Sequence, residues 1–125
     1  MAMIVVAEDE FLLGDMLASM LEDSGHEVAV AAHGVAALEM VRSKRPDLLI
    51  TDFMMPLMNG LELAQAVRGD QEMSSIPIIL VSGAQGSIGR ANPTMFDAVL
   101  DKPYDTRRLI NTVETLLADS GLPSA

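Results

Sequence analysis

Apolar and polar positions along the chain alternate between two spacings, and these spacings predict its strands and helices. Residues 4–7 form a short continuous apolar run, typical of a strand buried on both faces of a parallel sheet. The apolar residues that follow have the i, i+3, i+4, i+7, i+8 spacing of one helical stripe: Leu13, Met16, Leu17, Met20 and Leu21. Gly25 is suitably placed to end that helix.

The next segments repeat this order of strand and helix. Residues 27–31 alternate between apolar and polar or small side chains, which predicts an edge strand with one face partly in water. A second helix is expected to begin at Gly34 and to end before Pro46, because proline does not continue a helix. Residues 47–52 are the third predicted strand.

The second half of the chain predicts two more strands and two clear helices. Asn59, followed three residues later by glutamate, resembles a capping box and predicts a helix over about residues 60–68. Residues 77–82 and 98–101 are the fourth and fifth predicted strands. Asp105 is placed to cap a final helix.

Residues 83–97 lack a regular helical stripe, because three glycines and a proline interrupt them. We expect one short or irregular fourth helix there, with local mobility. Five strands that alternate with helices predict an α/β fold, a doubly wound parallel sheet with helices on both faces. The length of 125 residues fits one domain over residues 1–125, with a core over residues 3–119 and a loose tail over residues 120–125.

The composition narrows the classes of partner. A formal net charge of −10 argues against direct binding of nucleic acid or anionic membrane surfaces, which are bound by clustered Lys and Arg. The absence of cysteine excludes disulfides and thiolate metal sites. The first apolar stretch has no basic residues before it and ends at three acids, so we expect neither a signal peptide nor a membrane span there. A cytoplasmic location is the default expectation.

Polar side chains stand at the ends of four predicted strands. The first strand runs into Glu8 and Asp9, the third ends at Asp52, the fourth ends at Ser82, and Lys102 follows the fifth. In a parallel sheet these carboxyl ends meet at one edge, where such folds bind their ligands. Because a buried ionised carboxylate costs several kcal/mol unless it is compensated, the pattern predicts one shared polar pocket.

A pocket of carboxylates favours a hard divalent cation, Mg²⁺, Mn²⁺ or Ca²⁺ rather than zinc. Mg²⁺ retains several waters, so two carboxylates and one backbone carbonyl are an adequate ligand set. The carboxylate of Asp52 can also attack phosphorus and form an acyl phosphate. The cation, the Lys102 ammonium and the Ser82 hydroxyl would then stabilise the charge of the transferring group.

Four motifs in order resemble the receiver domain of two-component response regulators. They are Glu8-Asp9-Glu10 after the first strand, Asp52-x-x-Met55-Pro56-x-x-Asn59-Gly60, Ser82-Gly83 and Lys102-Pro103-Tyr104. The resemblance covers residues 3 to about 119. It implies a flavodoxin-like (CheY-like) fold with strand order 2-1-3-4-5.

The resemblance also implies a Mg²⁺ (or Mn²⁺) site. In this family the residue matching Asp9 is a direct ligand, and the residue matching Glu8 acts through water. The carboxylate of Asp52 and the backbone carbonyl of Met54 would complete the protein ligands.

By the same resemblance, Asp52 is the phosphoacceptor, Ser82 is the switch hydroxyl, and Lys102 pairs with the carboxylate and then with the phosphoryl group. The Lys102–Pro103 peptide is expected to be cis. The implied donor is a phosphohistidine of a sensor histidine kinase or a histidine phosphotransfer protein. Phosphorylation would switch the binding of a downstream protein, so the chain would be a signalling protein and not a turnover enzyme.

Three positions bear on how a receiver of this sequence would switch and how long it would stay phosphorylated. The family often has an aromatic residue three positions before the lysine, and here that residue is Val99. The signal would then pass through residues 83–97 instead. The positions that tend to set phosphate lifetime hold Met54 and Ala84, which cannot orient a water by hydrogen bonding, so we expect a persistent phosphoryl group.

Two other functions are alternatives to the receiver. A Mg²⁺-dependent phosphatase of the haloacid-dehalogenase type needs an acid/base Asp two residues after its nucleophile, where this chain has Met54. A flavodoxin-like FMN carrier needs a phosphate-binding loop after the first strand, and Glu8-Asp9-Glu10 would repel that phosphate. His26 and His33, which flank the second strand, are expected to be surface residues and not phosphodonors.

Overall fold

A five-stranded, fully parallel sheet forms the centre of the structure, a computed structural model that describes residues 2–119. The elements follow one another in the order β1 (Met3–Ala7), α1 (Phe11–Asp23), β2 (Glu27–Ala31), α2 (Gly34–Lys44), β3 (Leu48–Asp52), α3 (Gly60–Arg68), β4 (Ile78–Ser82), α4 (Gly86–Arg90), β5 (Ala98–Asp101) and α5 (Thr106–Asp119). The strand order β2-β1-β3-β4-β5 confirms the predicted topology. The expected loose tail over residues 120–125 lies outside the described residues.

Helices cover both faces of the sheet, because its central strands are apolar on both sides. Alternate residues of β3 enter two separate cores: Leu48 and Ile50 pack on the side of α1 and α5, and Leu49 packs on the side of α2 and α3. All five residues of β4 are buried. The predicted doubly wound arrangement is therefore confirmed.

The helix ends follow the local rules that predicted them. Asn59 Oδ1 accepts from the Glu62 backbone N–H at 2.8 Å, and Glu62 Oε1 accepts from the Asn59 N–H at 3.0 Å, which completes the predicted capping box. Gly25, just past α1, has φ 93°, a left-handed conformation that glycine adopts without steric cost. Asp105 Oδ1 accepts from the Arg107 N–H at 2.8 Å and caps α5.

The fourth helix has only five residues, as expected for this glycine-rich segment. Gly89 lies directly on the sheet, where an added Cβ would come within 2.5 Å of Leu80 and 2.9 Å of Val99. A side chain at this position would force either the helix or the side chains of Leu80 and Val99 to shift. The local mobility of residues 83–97 stays a prediction.

His26 contradicts the expectation of a surface histidine, since it is only 5% exposed. Its Nδ1 accepts from the Ala2 backbone N–H at 3.2 Å, and its Nε2 lies 2.8 Å from Glu114 Oε1 on α5. The expectation was wrong because α5, which is distant in sequence, brings the carboxylate of Glu114 to the ring. His33 is partly exposed, and its ring accepts from the Ala36 N–H at the start of α2.

Candidate functional site

The register of the sheet brings the polar strand ends together. Ala7 of β1 pairs with Thr51 of β3, so the residues that follow each of them, Glu8 and Asp52, end neighbouring strands. Asp52 pairs in turn with Val81 of β4. Ser82 therefore lies one position beyond Asp52 on the adjacent strand, at the same edge.

Three carboxylates form a cluster at this edge. Glu8, Asp9 and Asp52 each offer an oxygen, and these oxygens lie within 4.8 Å of one another. The side chains of Glu8 and Asp52 are only 7% and 12% exposed, whereas Asp9 is exposed to solvent. An all-oxygen set of this charge fits a hard divalent cation such as Mg²⁺ or Mn²⁺.

Lys102 is the cation that neutralises part of this cluster. Its Nζ lies 3.3 Å from Glu8 Oε1 and 3.2 Å from Asp52 Oδ2. It follows β5, two strands away from β3, and the peptide to Pro103 is cis as expected. The lysine thus contacts the two most buried carboxylates of the site.

The remaining oxygens of the two buried acids are held by backbone. Asp52 Oδ1 accepts from the Phe53 N–H at 2.8 Å, and Glu8 Oε2 accepts from the Glu10 N–H at 3.1 Å. Each carboxylate therefore has one oxygen fixed by the chain and one facing the lysine. The side chain of Met54 is exposed, and the role of its carbonyl as a metal ligand stays a prediction.

The charges and burial of the site shift two pKa values. Burial raises the pKa of Glu8 above its usual value, and the neighbouring charge of Asp52 adds to this, against the lowering effects of the Glu10 N–H and Lys102. Burial alone would lower the pKa of Lys102, but its hydrogen bond to Asp52 and the charges of Asp52 and Glu8 raise it overall. The lysine is therefore charged at neutral pH.

Ser82 is fully buried and makes its hydrogen bonds with Gln85. Its Oγ accepts from the Gln85 backbone N–H at 2.8 Å, and the hydroxyl donates to Gln85 Oε1 at 3.3 Å. Our sequence reasoning missed Gln85. The signal that could have found it is a serine at a strand end followed three residues later by a polar side chain. A serine at such a position commonly accepts a hydrogen bond from a nearby backbone N–H in a turn.

Large apolar side chains are exposed in the segments that follow β1 and β3. Phe11 and Leu12 at the start of α1 are 82% and 71% exposed, and Leu57 in the β3–α3 loop is 78% exposed. A cavity of about 530 Å³ between α1 and the start of α5 opens beside Asp52 and Lys102. A contiguous exposed apolar patch would mark a contact site for another protein.

Substitution of Glu8 by glutamine is expected to stabilise the metal-free protein at neutral pH. When folding raises the pKa of a carboxyl, the group contributes its full stability below its unfolded pKa. This contribution is lost as pH rises through the folded pKa. The advantage of Glu8→Gln should therefore vanish below about pH 4.5, the usual pKa of the group. Urea unfolding in EDTA over a pH series measures it.

Two controls accompany the Glu8→Gln measurement. Glu10→Gln, at an exposed carboxylate of the same loop, should not show this pH-dependent gain. If Glu8 acts on a bound metal through water, as the family resemblance implies, excess Mg²⁺ should reverse the order of stability, because loss of such a group weakens metal binding by about 10–100-fold. A Glu8→Gln protein less stable than wild type in EDTA at neutral pH would contradict the burial argument.

None of the helices in residues 2–119 combines the length and apolar character that crossing a membrane requires.

A family profile described as "Response regulator receiver domain" matches residues 4–114. The polar-differentiation response regulator DivK of Brucella anthropi is 30% identical to this chain over 119 residues, 94% of the chain and 97% of that relative.

Solved structures agree with this match. The chemotaxis response regulator CheY4 of Vibrio cholerae is 28% identical, with a TM-score of 0.85, over 93% of this chain and 98% of that chain. The signal receiver domain of a signal transduction histidine kinase from Syntrophus aciditrophicus is 27% identical, with a TM-score of 0.88, over 95% of this chain and 92% of that chain. This chain belongs to the family of response regulator receiver domains.

Proposed function

We propose that Asp52 is the phosphoacceptor of this receiver domain and takes its phosphoryl group from a phosphohistidine. The donor would be a sensor histidine kinase or a histidine phosphotransfer protein. The observation that supports the proposal most directly is the position of the Asp52 carboxylate, with one oxygen held by the Phe53 N–H and the other 3.2 Å from the Lys102 ammonium.

The metal in this proposal is Mg²⁺ or Mn²⁺. Asp9 and Asp52 would hold it directly together with the Met54 carbonyl, and Glu8 would act through water. When bound, the cation supplies positive charge to the phosphoryl oxygens. The three carboxylate oxygens within 4.8 Å of one another support this assignment.

The protein groups divide the work of phosphoryl transfer. An oxygen of Asp52 forms the new bond to phosphorus as the bond from phosphorus to the donor imidazole nitrogen breaks, and that nitrogen keeps the electron pair. The Phe53 N–H fixes the carboxylate while the Lys102 ammonium moves its contact from the carboxylate to the phosphoryl oxygens. The Ser82 hydroxyl would donate to another phosphoryl oxygen.

The proposed partners are proteins, and the proposed location is the cytoplasm. The exposed apolar side chains that follow β1 and β3 support docking of a protein donor, and the acidic charge disfavours nucleic acid and anionic lipid. The downstream target would be a protein that distinguishes the two phosphorylation states. Turnover of small phosphate esters has no support, because Met54 stands where a phosphatase needs an acid/base carboxylate.

Intact-mass measurement after incubation with acetyl phosphate and Mg²⁺ tests the proposed acceptor. Wild type should gain the mass of one phosphoryl group, and Asp52→Asn should gain none. Asp23→Asn, at an exposed carboxylate on α1, is the matched control and should behave as wild type. A phosphoryl group found on Asp52→Asn at the wild-type level would refute the assignment.

Met54→Asn is expected to shorten the lifetime of the phosphoryl group by about threefold to tenfold. An Asn amide can hold an attacking water by one hydrogen bond, worth about 0.5–1.5 kcal/mol, and the methionine thioether cannot do so effectively. The loss of phosphoprotein with time, followed by intact mass, gives the half-life. Met54→Leu is the control and should keep the wild-type lifetime, whereas a longer lifetime for Met54→Asn would contradict the argument.

A further inference from the structure

Ser82 and Gln85 form a closed hydrogen-bonded pair beside the site. The Gln85 backbone N–H donates to Ser82 Oγ at 2.8 Å, and the Ser82 hydroxyl donates to Gln85 Oε1 at 3.3 Å. The same amide oxygen also accepts from the Ala84 N–H at 3.4 Å. Because the Ala84 N–H can only donate, the amide places its oxygen and not its NH₂ group on this side, and the Ser82 hydroxyl is then the donor to it.

A serine hydroxyl can accept two hydrogen bonds but has one proton to donate. In this structure that proton is directed to Gln85 Oε1. If the hydroxyl is to donate to a phosphoryl oxygen on Asp52, it must give up the Gln85 side chain. The bond from the Gln85 N–H does not compete in this way, because it uses a lone pair of the hydroxyl.

We infer that the side chain of Gln85 is a positioning residue that holds the Ser82 hydroxyl in the unphosphorylated arrangement and opposes phosphorylation of Asp52. The inference rests on the phosphoacceptor role proposed for Asp52. It adds a competitor for the Ser82 hydroxyl proton. The amide oxygen of Gln85 must lose its hydrogen bond from Ser82 when the hydroxyl donates to the phosphoryl group.

The position of Gln85 also connects the change of hydrogen-bond partner at Ser82 to the protein surface. Gln85 directly precedes α4, whose Gly86 lies against Asp101 and whose Arg90 pairs with Asp101 at 3.1 Å. The aromatic residue of the family is replaced by Val99, a β-branched side chain with few rotamers. Release of the Gln85 side chain would therefore change the start of α4 without any aromatic ring.

Gln85→Met tests the inference, since methionine keeps the length of the side chain and removes the amide oxygen. The rate of phosphorylation by acetyl phosphate and Mg²⁺, measured by intact mass, should rise about threefold to tenfold, the range expected for one net hydrogen bond. Gln85→Glu keeps an acceptor at this position and should be no faster than wild type. Gln65→Met, at an exposed position on α3, is the matched control and should keep the wild-type rate.

A double mutant separates competition for the hydroxyl proton from a general structural effect. In the Ser82→Ala background there is no proton to compete for, so adding Gln85→Met should leave the rate unchanged. The inference is wrong if Gln85→Met has the wild-type rate, or if its gain persists with Ser82→Ala. Wild-type protein that takes no phosphoryl group at all would instead overturn the proposed function, and the inference with it.

Discussion

Lys102→Met is expected to lower the rate of Asp52 phosphorylation by about 100-fold to 1000-fold, the usual cost of removing one fixed donor from a site of developing negative charge. The ammonium lies within 3.3 Å of both buried carboxylates. Among the described residues no other Lys or Arg pairs with these two carboxylates, so the variant has no replacement for the charge. Intact mass after timed incubation with acetyl phosphate and Mg²⁺ gives the rate.

The affinity of the Lys102→Met protein for Mg²⁺ distinguishes loss of the ammonium charge from a general disruption of the site. Removing a positive charge from a cluster of carboxylates should leave Mg²⁺ binding unchanged or strengthen it, as measured by calorimetric titration. Lys44→Met is the matched control, because Lys44 is the only other lysine in the sequence and is exposed at the end of α2. A Lys102→Met protein that is phosphorylated at the wild-type rate would exclude the proposed role of the ammonium.

Gly60→Ala is expected to lower the free energy of unfolding by about 2–3 kcal/mol, in the range measured for overpacked interiors. A Cβ at Gly60 would lie against the backbone carbonyl oxygen of Asp52 and 3.0 Å from the Cα of Phe53. Helix propensity alone predicts the opposite sign, because alanine is favoured over glycine by about 1 kcal/mol inside a helix. The contact with fixed backbone atoms should outweigh that preference.

Urea unfolding followed by circular dichroism measures the Gly60→Ala effect. Gly83→Ala is the matched control, since a Cβ at Gly83 would meet no atom within 4 Å. That variant should be neutral, or more stable by about 0.4–1 kcal/mol through a less flexible unfolded chain. Equal stability of the two variants would contradict the steric argument, because the loop after β3 would then accommodate the added Cβ freely.

The close approach at Gly60 illustrates the limit of local sequence patterns. The Asn59 capping box predicted the start of α3 at the correct residue, because capping depends on neighbours only three positions apart. The same glycine also lets the helix start reach the carboxyl end of β3. No periodicity in the sequence shows which two backbone segments will touch.

The grouping of the acidic cluster with Lys102 was predictable from sequence for a topological reason. Every strand of a parallel sheet ends at the same edge, so Glu8, Asp52 and Lys102 were expected at one edge, and the strand order brings them together there. The chemistry of the cluster indicated a divalent cation and an acyl phosphate on Asp52, and the family resemblance assigned the individual ligands and the acceptor role. They remain the subject of the experiments above.

The sequence by itself determined the order of strands and helices, the short fourth helix and the edge at which the polar residues gather. These features follow from hydrophobic spacing, capping residues and the parallel topology, all of which act locally or apply to the whole fold. Only the tertiary structure decided that His26 is buried against Glu114 and that Gln85 holds Ser82. Such pairs depend on ångström-scale distances between packed elements, and hydrophobic spacing along the chain does not encode those distances.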